Sequence, residues 1–136
     1  MGDSIEIHRR ITIKAVLTES LKEELVGELR EAIKGLDMEM QRLEFEFKRI
    51  MNDVAKVNPQ HLQAIRQQLE LEKRKRQEKK EELTQRLREL EELELGSEIV
   101  RGTIEGPVVV RPGDDWNSLF QAEIVIRDGV VQEVRP

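Results

Sequence analysis

The sequence predicts an α+β fold. A long antiparallel helical hairpin, a coiled coil, projects from a small antiparallel β-domain formed by the N-terminal strand and the C-terminal strands. Three observations predict it. Residues 5–17, "IEIHRRITIKAVL", alternate apolar and charged positions as a half-buried strand does. Residues 18–95 carry apolar side chains at helical spacing, interrupted only at "VNPQHL". After Gly96 the pattern reverts to short β-branched runs punctuated by Gly-Pro, Pro-Gly and Asp-Gly.

In chain order, Ile5, Ile7, Ile11, Ile13 and Ala15 mark the buried face of the first strand, with a bend expected near His8–Arg10. Thr18 suits an N-cap, and Ser20 with Glu23 offers a second capping box. Helix one then runs to Val57, and from Leu36 its apolar residues step 4-3-4-3 through Met40, Leu43, Phe47, Ile50, Val54 and Val57, a heptad seam. Asn58 and Pro59 are an N-cap and a first helical residue, so helix two starts there. Its seam opens with Leu62, Ile65 and Leu69, becomes polar, and closes with Leu83, Leu87, Leu90 and Leu93 before Gly96 stops it.

"SEIVRGTIE", "PVVVR", "AEIVIR" and "VVQEVR" predict four further strands, the last two joined by a two-residue turn at Asp128-Gly129. A helical hairpin returns Gly96 to the side of Thr18, so the N-terminal strand can join the C-terminal sheet. A straight rod would isolate it, and a lone strand is unstable. The expected organisation is residues 1–17 as a strand of the sheet, 18–95 as a hairpin with its tip near 58, and 96–136 as the β-domain. Each arm is roughly 50–60 Å long at ~1.5 Å per residue.

Composition limits function. Charged residues make up 38% and aromatics 3%, which suits long solvated helices more than a large globule. The net charge of -5 repels nucleic acid and anionic membranes overall. The absence of cysteine removes disulfides, thiolate metal sites and cysteine nucleophiles. No apolar run approaches the ~20 residues of a membrane span, and the N-terminus lacks a signal-peptide core. The expectation is a cytoplasmic protein without membrane attachment.

The charge run "LELEKRKRQEKKEEL" poses the main functional question. Lys73, Arg74, Lys75, Arg76, Lys79 and Lys80 could contact the phosphates of RNA. The preferred reading is a solvated helix side, partly neutralised across the hairpin by Asp37, Glu39, Glu44 and Glu46. The seam of helix two would pass through Glu72, Arg76, Lys79 and Arg86, which are poor core residues. Helix one opposite is apolar and wide, with Leu36, Met38, Met40, Leu43, Phe45 and Phe47. One polar helix cannot cover two stripes. A homo-oligomer, most simply a dimer, would cover the excess, and a protein client is the next expectation.

Catalytic and metal chemistry find little footing. His8 and His61 are far apart in sequence and in the expected fold. Asp114 and Asp115 lack a third ligand and read as a turn, with Trp116 and Phe120 packing the sheet. No phosphate loop, dinucleotide fingerprint or nucleophile elbow is present. No enzyme, cofactor or metal is expected.

The stretches "RRITIKAVLTESLKEEL", "LDMEMQRLEFEFKRI", "NPQHLQAIRQQLELEKRKRQEKKEEL", "LELGSEIVRGTIE" and "GDDWNSLFQAEIVIRDGVVQEVR" resemble the YlqD family of small bacterial proteins, over nearly the whole chain. That family is uncharacterised, so the resemblance implies no catalytic or binding residues. It carries an association with ribosome-assembly genes, a hint toward RNA or the ribosome. By shape alone, the expected architecture is similar to prefoldin-type chaperones and Gre-type transcript-cleavage factors. The tip here has only Asp53, unlike the acidic metal-holding tips of the latter. The leading expectation is a non-catalytic interaction or assembly scaffold; the alternative is an RNA- or ribosome-associated factor using the basic belt.

Overall fold

The computed structural model describes residues 2–136. It is an α+β chain of two long helices and one four-stranded mixed sheet. The order is β1 (Ile5–Val16), α1 (Glu19–Val57), a 3-10 turn (Pro59–His61), α2 (Leu62–Glu92), β2 (Glu98–Val110), a second 3-10 turn (Ser118–Phe120), β3 (Glu123–Arg127) and β4 (Val130–Arg135). Contacts divide it into two compact units. One comprises the chain up to Glu23 together with Leu93–Pro136, and the other is Glu24–Glu92.

The sheet order is β2-β1-β3-β4. β1 pairs antiparallel with β2 along its full length, from Ile5 opposite Val110 to Val16 opposite Glu98. It pairs with β3 in parallel, Thr12 opposite Glu123 to Ala15 opposite Ile126. β3 and β4 are antiparallel. The expectation of an all-antiparallel sheet is therefore corrected. β1 is inserted between β2 and β3, so the chain passes from one side of β1 to the other through residues 111–122 and re-enters beside β1 in the same direction.

The strand count is also corrected, from five to four. "SEIVRGTIE" and "PVVVR" form one strand across Gly106-Pro107. β2 is an edge strand, and there the missing N–H of Pro107 can face away from the ladder. β1 shows no register shift at His8–Arg10. The one irregularity in its pairing with β2 falls between Ile13 and Lys14, where Arg101 is the extra residue and Gly102 has φ +157.

Opposed residues project from the same face of a sheet, and this fixes two different faces. One carries Ile5, Ile7, Ile11 and Ile13 of β1 with Ile104, Val108 and Val110 of β2. Ile124 and Ile126 of β3 and Val131 and Val134 of β4 continue it. Arg9 is its one charged ladder position, and Arg9 Nη1 donates to the Leu119 carbonyl at 2.6 Å. The other face is mixed: it carries the buried Val16 and Val125, the exposed Val100, Val109 and Val130, and a set of ion pairs. There Arg135 pairs with Glu98 at 2.8 Å and Glu133 at 2.9 Å, and Lys14 pairs with Glu123.

Within the sheet unit, burial is confined to the end of β1 and its surroundings: Ala15, Val16, Leu17, Ala122 and Val125. Backbone bonds lock this region, with Leu17 N donating to Ser97 O at 2.7 Å and Gly96 N donating to Leu17 O at 2.9 Å. Gly96 has φ +93, a conformation that glycine adopts without the Cβ penalty. Asp128 (φ 46) and Gly129 (φ 81) form the tight β3–β4 turn that their sequence predicts. The Asp128 carboxylate also accepts from Thr18 Oγ1 at 2.7 Å and Ser20 Oγ at 3.2 Å, while Thr18 Oγ1 accepts the Leu21 N–H and caps α1.

Candidate interaction surface

In the helical unit, α1 supplies one seam and one unpartnered row. Leu29, Ile33, Leu36, Met40, Leu43, Phe47, Met51 and Val54 are half-buried along one side. On α2 the half-buried positions are Leu62, Ile65, Leu69, Glu72, Lys73, Arg76 and Lys80, then the buried Leu83, then Thr84, Leu87 and Leu90. The polar middle of this seam runs through Lys80, not Lys79, and reaches Leu87, not Arg86. A strict 3.5-residue repeat drifts against the 3.6 residues of a real helical turn, and the four-residue step from Arg76 to Lys80 absorbs the difference.

The six basic residues proposed for RNA contact do not act as a set. Lys73 pairs with Glu44 at 2.5 Å, Arg76 with Glu39 at 3.1 Å and Lys80 with Asp37 at 2.7 Å, all on α1. Arg76 also pairs with Glu72 at 2.9 Å, one turn back on α2. The hydrogen bond from Lys73 holds the Glu44 carboxyl below its ordinary range, and the Glu44 bond raises the Lys73 ammonium in turn. The bond from Arg76 does the same to Glu72. Lys75 reaches Glu72 at 3.6 Å and Lys79 reaches Glu82 at 3.5 Å. Arg74 alone of the six has no ion pair among the described residues.

The proposed apolar interface splits as well. Leu36, Met40, Leu43 and Phe47 lie on the seam, while Met38 and Phe45 do not: they are 54% and 64% exposed. At ~100° per residue these two lie almost opposite the seam, one heptad apart. The exposed polar residues within about a quarter-turn of this row are Glu31, Lys34, Gln41, Arg42, Glu46, Lys48, Arg49, Asn52, Asp53 and Lys56. Five of those ten are cations and three, Glu31, Glu46 and Asp53, are acids. Lys34, Arg42, Arg49 and Lys56 make no ion pair among the described residues. The acidic residues nearest this row on the seam side, Asp37 and Glu44, are committed to Lys80 and Lys73. The signal in sequence was the i,i+7 spacing of Met38 and Phe45 with cations on both flanks.

Near residue 58 the helical unit holds an open apolar cleft of about 430 Å³, lined mainly by Phe47, Ile50, Val54, Val57 and Ile65, with His61 at its rim. His8 is exposed on β1. Asp114 accepts the Arg111 N–H at 2.7 Å, and Asp115 accepts the Asn117 N–H at 3.3 Å, so both carboxylates serve the turn. Among the described residues no group of three or more His, Asp or Glu side chains could hold a metal. Trp116 and Phe120 pack edge to face at 4.8 Å on one another. Trp116 is 60% exposed, so it does not fill the core of the sheet as expected. No helix of the described residues is long and apolar enough to cross a membrane.

Residues 5–135 match the YlqD protein family. The uncharacterized protein YlqD of Bacillus subtilis (strain 168) is 28% identical over 132 residues, covering 96% of this chain and 98% of that protein. The fold is similar to the crystal structure of a protein of unknown function from Synechococcus sp. WH 8102, with a TM-score of 0.88, 29% identity and 99% of each chain covered. With its strands, helices and turns all inside the matched span, the chain belongs to the YlqD family.

Proposed function

We propose that the protein is a non-catalytic interaction module whose two helices form an antiparallel coiled-coil hairpin. Its outer face on α1 docks an acidic amphipathic segment of a partner protein. The hairpin reading is supported by the cross-helix pairs Arg30–Glu91, Asp37–Lys80, Glu39–Arg76 and Glu44–Lys73, in which each advance along α1 meets a retreat along α2.

The observation that carries the docking reading is the row holding Met38 and Phe45. This single apolar heptad position carries cations on both sides, Lys34, Arg42, Lys48, Arg49 and Lys56, which outnumber the exposed acids Glu31, Glu46 and Asp53 beside it, and a helix with one apolar row flanked by Asp and Glu is the better complement. A second copy of the same row would set one net-positive surface against another, and like charges across an interface disfavour pairing. The basic belt of α2 offers a poorer polyanion site, because Lys73, Arg76 and Lys80 already have carboxylate partners on α1.

A photo-crosslinking amino acid placed at Phe45 in cells, with Gln85 on the exposed side of α2 as control, tests this. The expected adduct forms at residue 45 only, survives nuclease and is lost on protease treatment. It weakens when Arg42 and Arg49 are replaced by Glu. A nuclease-sensitive adduct would reassign the row to RNA, and equal labelling at both positions would refute a specific surface.

A further inference from the structure

We infer that the open cleft near residue 58 docks a basic amphipathic helix of a partner protein, on a surface separate from the α1 row of Met38 and Phe45. The cleft lies within the helical unit, with walls from both α1 and α2. Ile50 and Val57 line it one heptad apart on α1, and they are 46% and 86% exposed. Ala64 and Gln68 line it from α2 and are exposed as well. A small ligand is held by a pocket that encloses most of its surface. A cleft this open suits a longer segment that lies along it. The step from Ile50 to Val57 is roughly 10 Å at ~1.5 Å per residue, the spacing of apolar anchors at i and i+7 on a docked helix.

Charge at the rim selects the occupant. Glu39, Glu46 and Asp53 recur at seven-residue spacing on α1. Glu39 is met by Arg76 of α2 at 3.1 Å. Beside the cleft α2 supplies no such cation. Between Leu62 and Leu71 its one basic residue is Arg66, two positions from both Ala64 and Gln68 and so about 160° from each around the helix. Glu46 and Asp53 are exposed and make no ion pair among the described residues. They lie about 20–60° from Ile50 and Val57 around α1. The cations of the same stretch, Lys48, Arg49 and Lys56, lie farther round, at about 80–180°.

The α1 wall of the cleft is therefore edged by two carboxylates without counter-charge. A helix with one apolar row and Lys or Arg beside it supplies both the anchors and the counter-charges. An acidic segment or an anionic lipid surface would meet like charge there. A second copy, cleft to cleft about a two-fold axis, would bring the same two carboxylates with it.

Two synthetic peptides of about 14 residues, two heptads each, put this to the test: one of Leu and Lys, one of Leu and Glu, both with leucine on one face. The NMR signals of the His61 ring report on the cleft, because His61 lines it and His8, the other histidine, lies in the sheet unit. The Leu/Lys peptide should shift the His61 signals saturably at micromolar concentration and leave those of His8 in place. Glu46→Lys with Asp53→Lys should weaken binding at least tenfold, and Ile50→Ser with Val57→Ser several-fold. Glu24→Lys with Glu28→Lys, the same change of charge at exposed α1 positions away from the cleft, should leave it within about twofold. The Leu/Glu peptide should not move His61. Circular dichroism checks that each variant is folded, and if the serine pair is not, Val57→Ser alone, at the most exposed of these positions, takes its place with the same several-fold loss expected. No saturable shift of His61, equal losses in the two lysine pairs, wild-type affinity in a folded serine variant, or an equal shift with the Leu/Glu peptide would each overturn the inference. Crosslinking at Phe45 judges the α1 row independently, so either surface can fail without the other.

Discussion

Arg76 donates to Glu39 across the helix pair and to Glu72 one turn behind it, so a single guanidinium ties two carboxylates at the polar centre of the seam. Glu39 is half-exposed, and such pairs contribute little because water and salt screen them. Leucine would restore an apolar seam between Leu69 and Leu83. We expect Arg76→Leu to raise the melting temperature by about 2–5 °C and Arg76→Glu to lower it. Thermal unfolding followed by circular dichroism decides it, and a large loss with leucine would show that the ion pairs hold the helices together.

Leu83 is the one buried side chain in the two helices among the described residues, at 8% exposure. Leu83→Ala should cost about 2–3 kcal/mol, the low end for a core leucine. Leu71→Ala, on an exposed side of the same helix, should stay within ~0.5 kcal/mol. Urea unfolding of both variants measures the contrast.

The ion pairs on the mixed face of the sheet should make stability acid-sensitive. The hydrogen bond from Arg135 lowers the Glu98 carboxyl, and that from Lys14 lowers Glu123, both from an ordinary value of 4.5. Each folded value lies below the unfolded one. Their contribution is therefore fully present above about pH 4.5 and is lost as pH falls below it, through the folded values. Urea midpoints measured from pH 7 to pH 3 should drop in that acid range, and the drop should be shallower in Arg135→Gln. Equal slopes would show that other carboxylates govern the acid limb.

At the β3–β4 turn, Gly129→Ala places a Cβ on a residue at φ 81 and should cost about 1–2 kcal/mol. Asp128→Ala should cost about 1 kcal/mol by removing the acceptor for Thr18 and Ser20. Asp128→Asn keeps an acceptor and tolerates positive φ, so it should lose less. Denaturant titration orders the three variants.

Local chemistry made much of this fold legible. Thr18, Gly96 and Asp128-Gly129 behave as their residue types require, because capping and turn geometry depend on neighbours in sequence. The direction of β3 was not legible. It depends on which edge of β1 the strand joins, and no residue between 111 and 122 encodes that by itself. Gly106-Pro107 misled for a related reason, since a proline breaks a central strand and is tolerated on an edge. Met38 and Phe45 were visible as apolar residues off the heptad. Their setting among unpaired cations emerged only once Asp37 and Glu44 were placed against Lys80 and Lys73.

The pairing of Ile5 with Val110 also governs how the molecule can be made. β1 is synthesised first, yet its long partner lies beyond both helices and its other neighbour later still. Closing so wide a loop is slow, and non-local strand pairing lowers folding rates. On the ribosome, an isoleucine-rich strand must wait unpaired until both helices and β2 have emerged. Its charged intervening residues, Glu6, Arg10 and Lys14, lie in the very segment that would otherwise associate with other nascent chains.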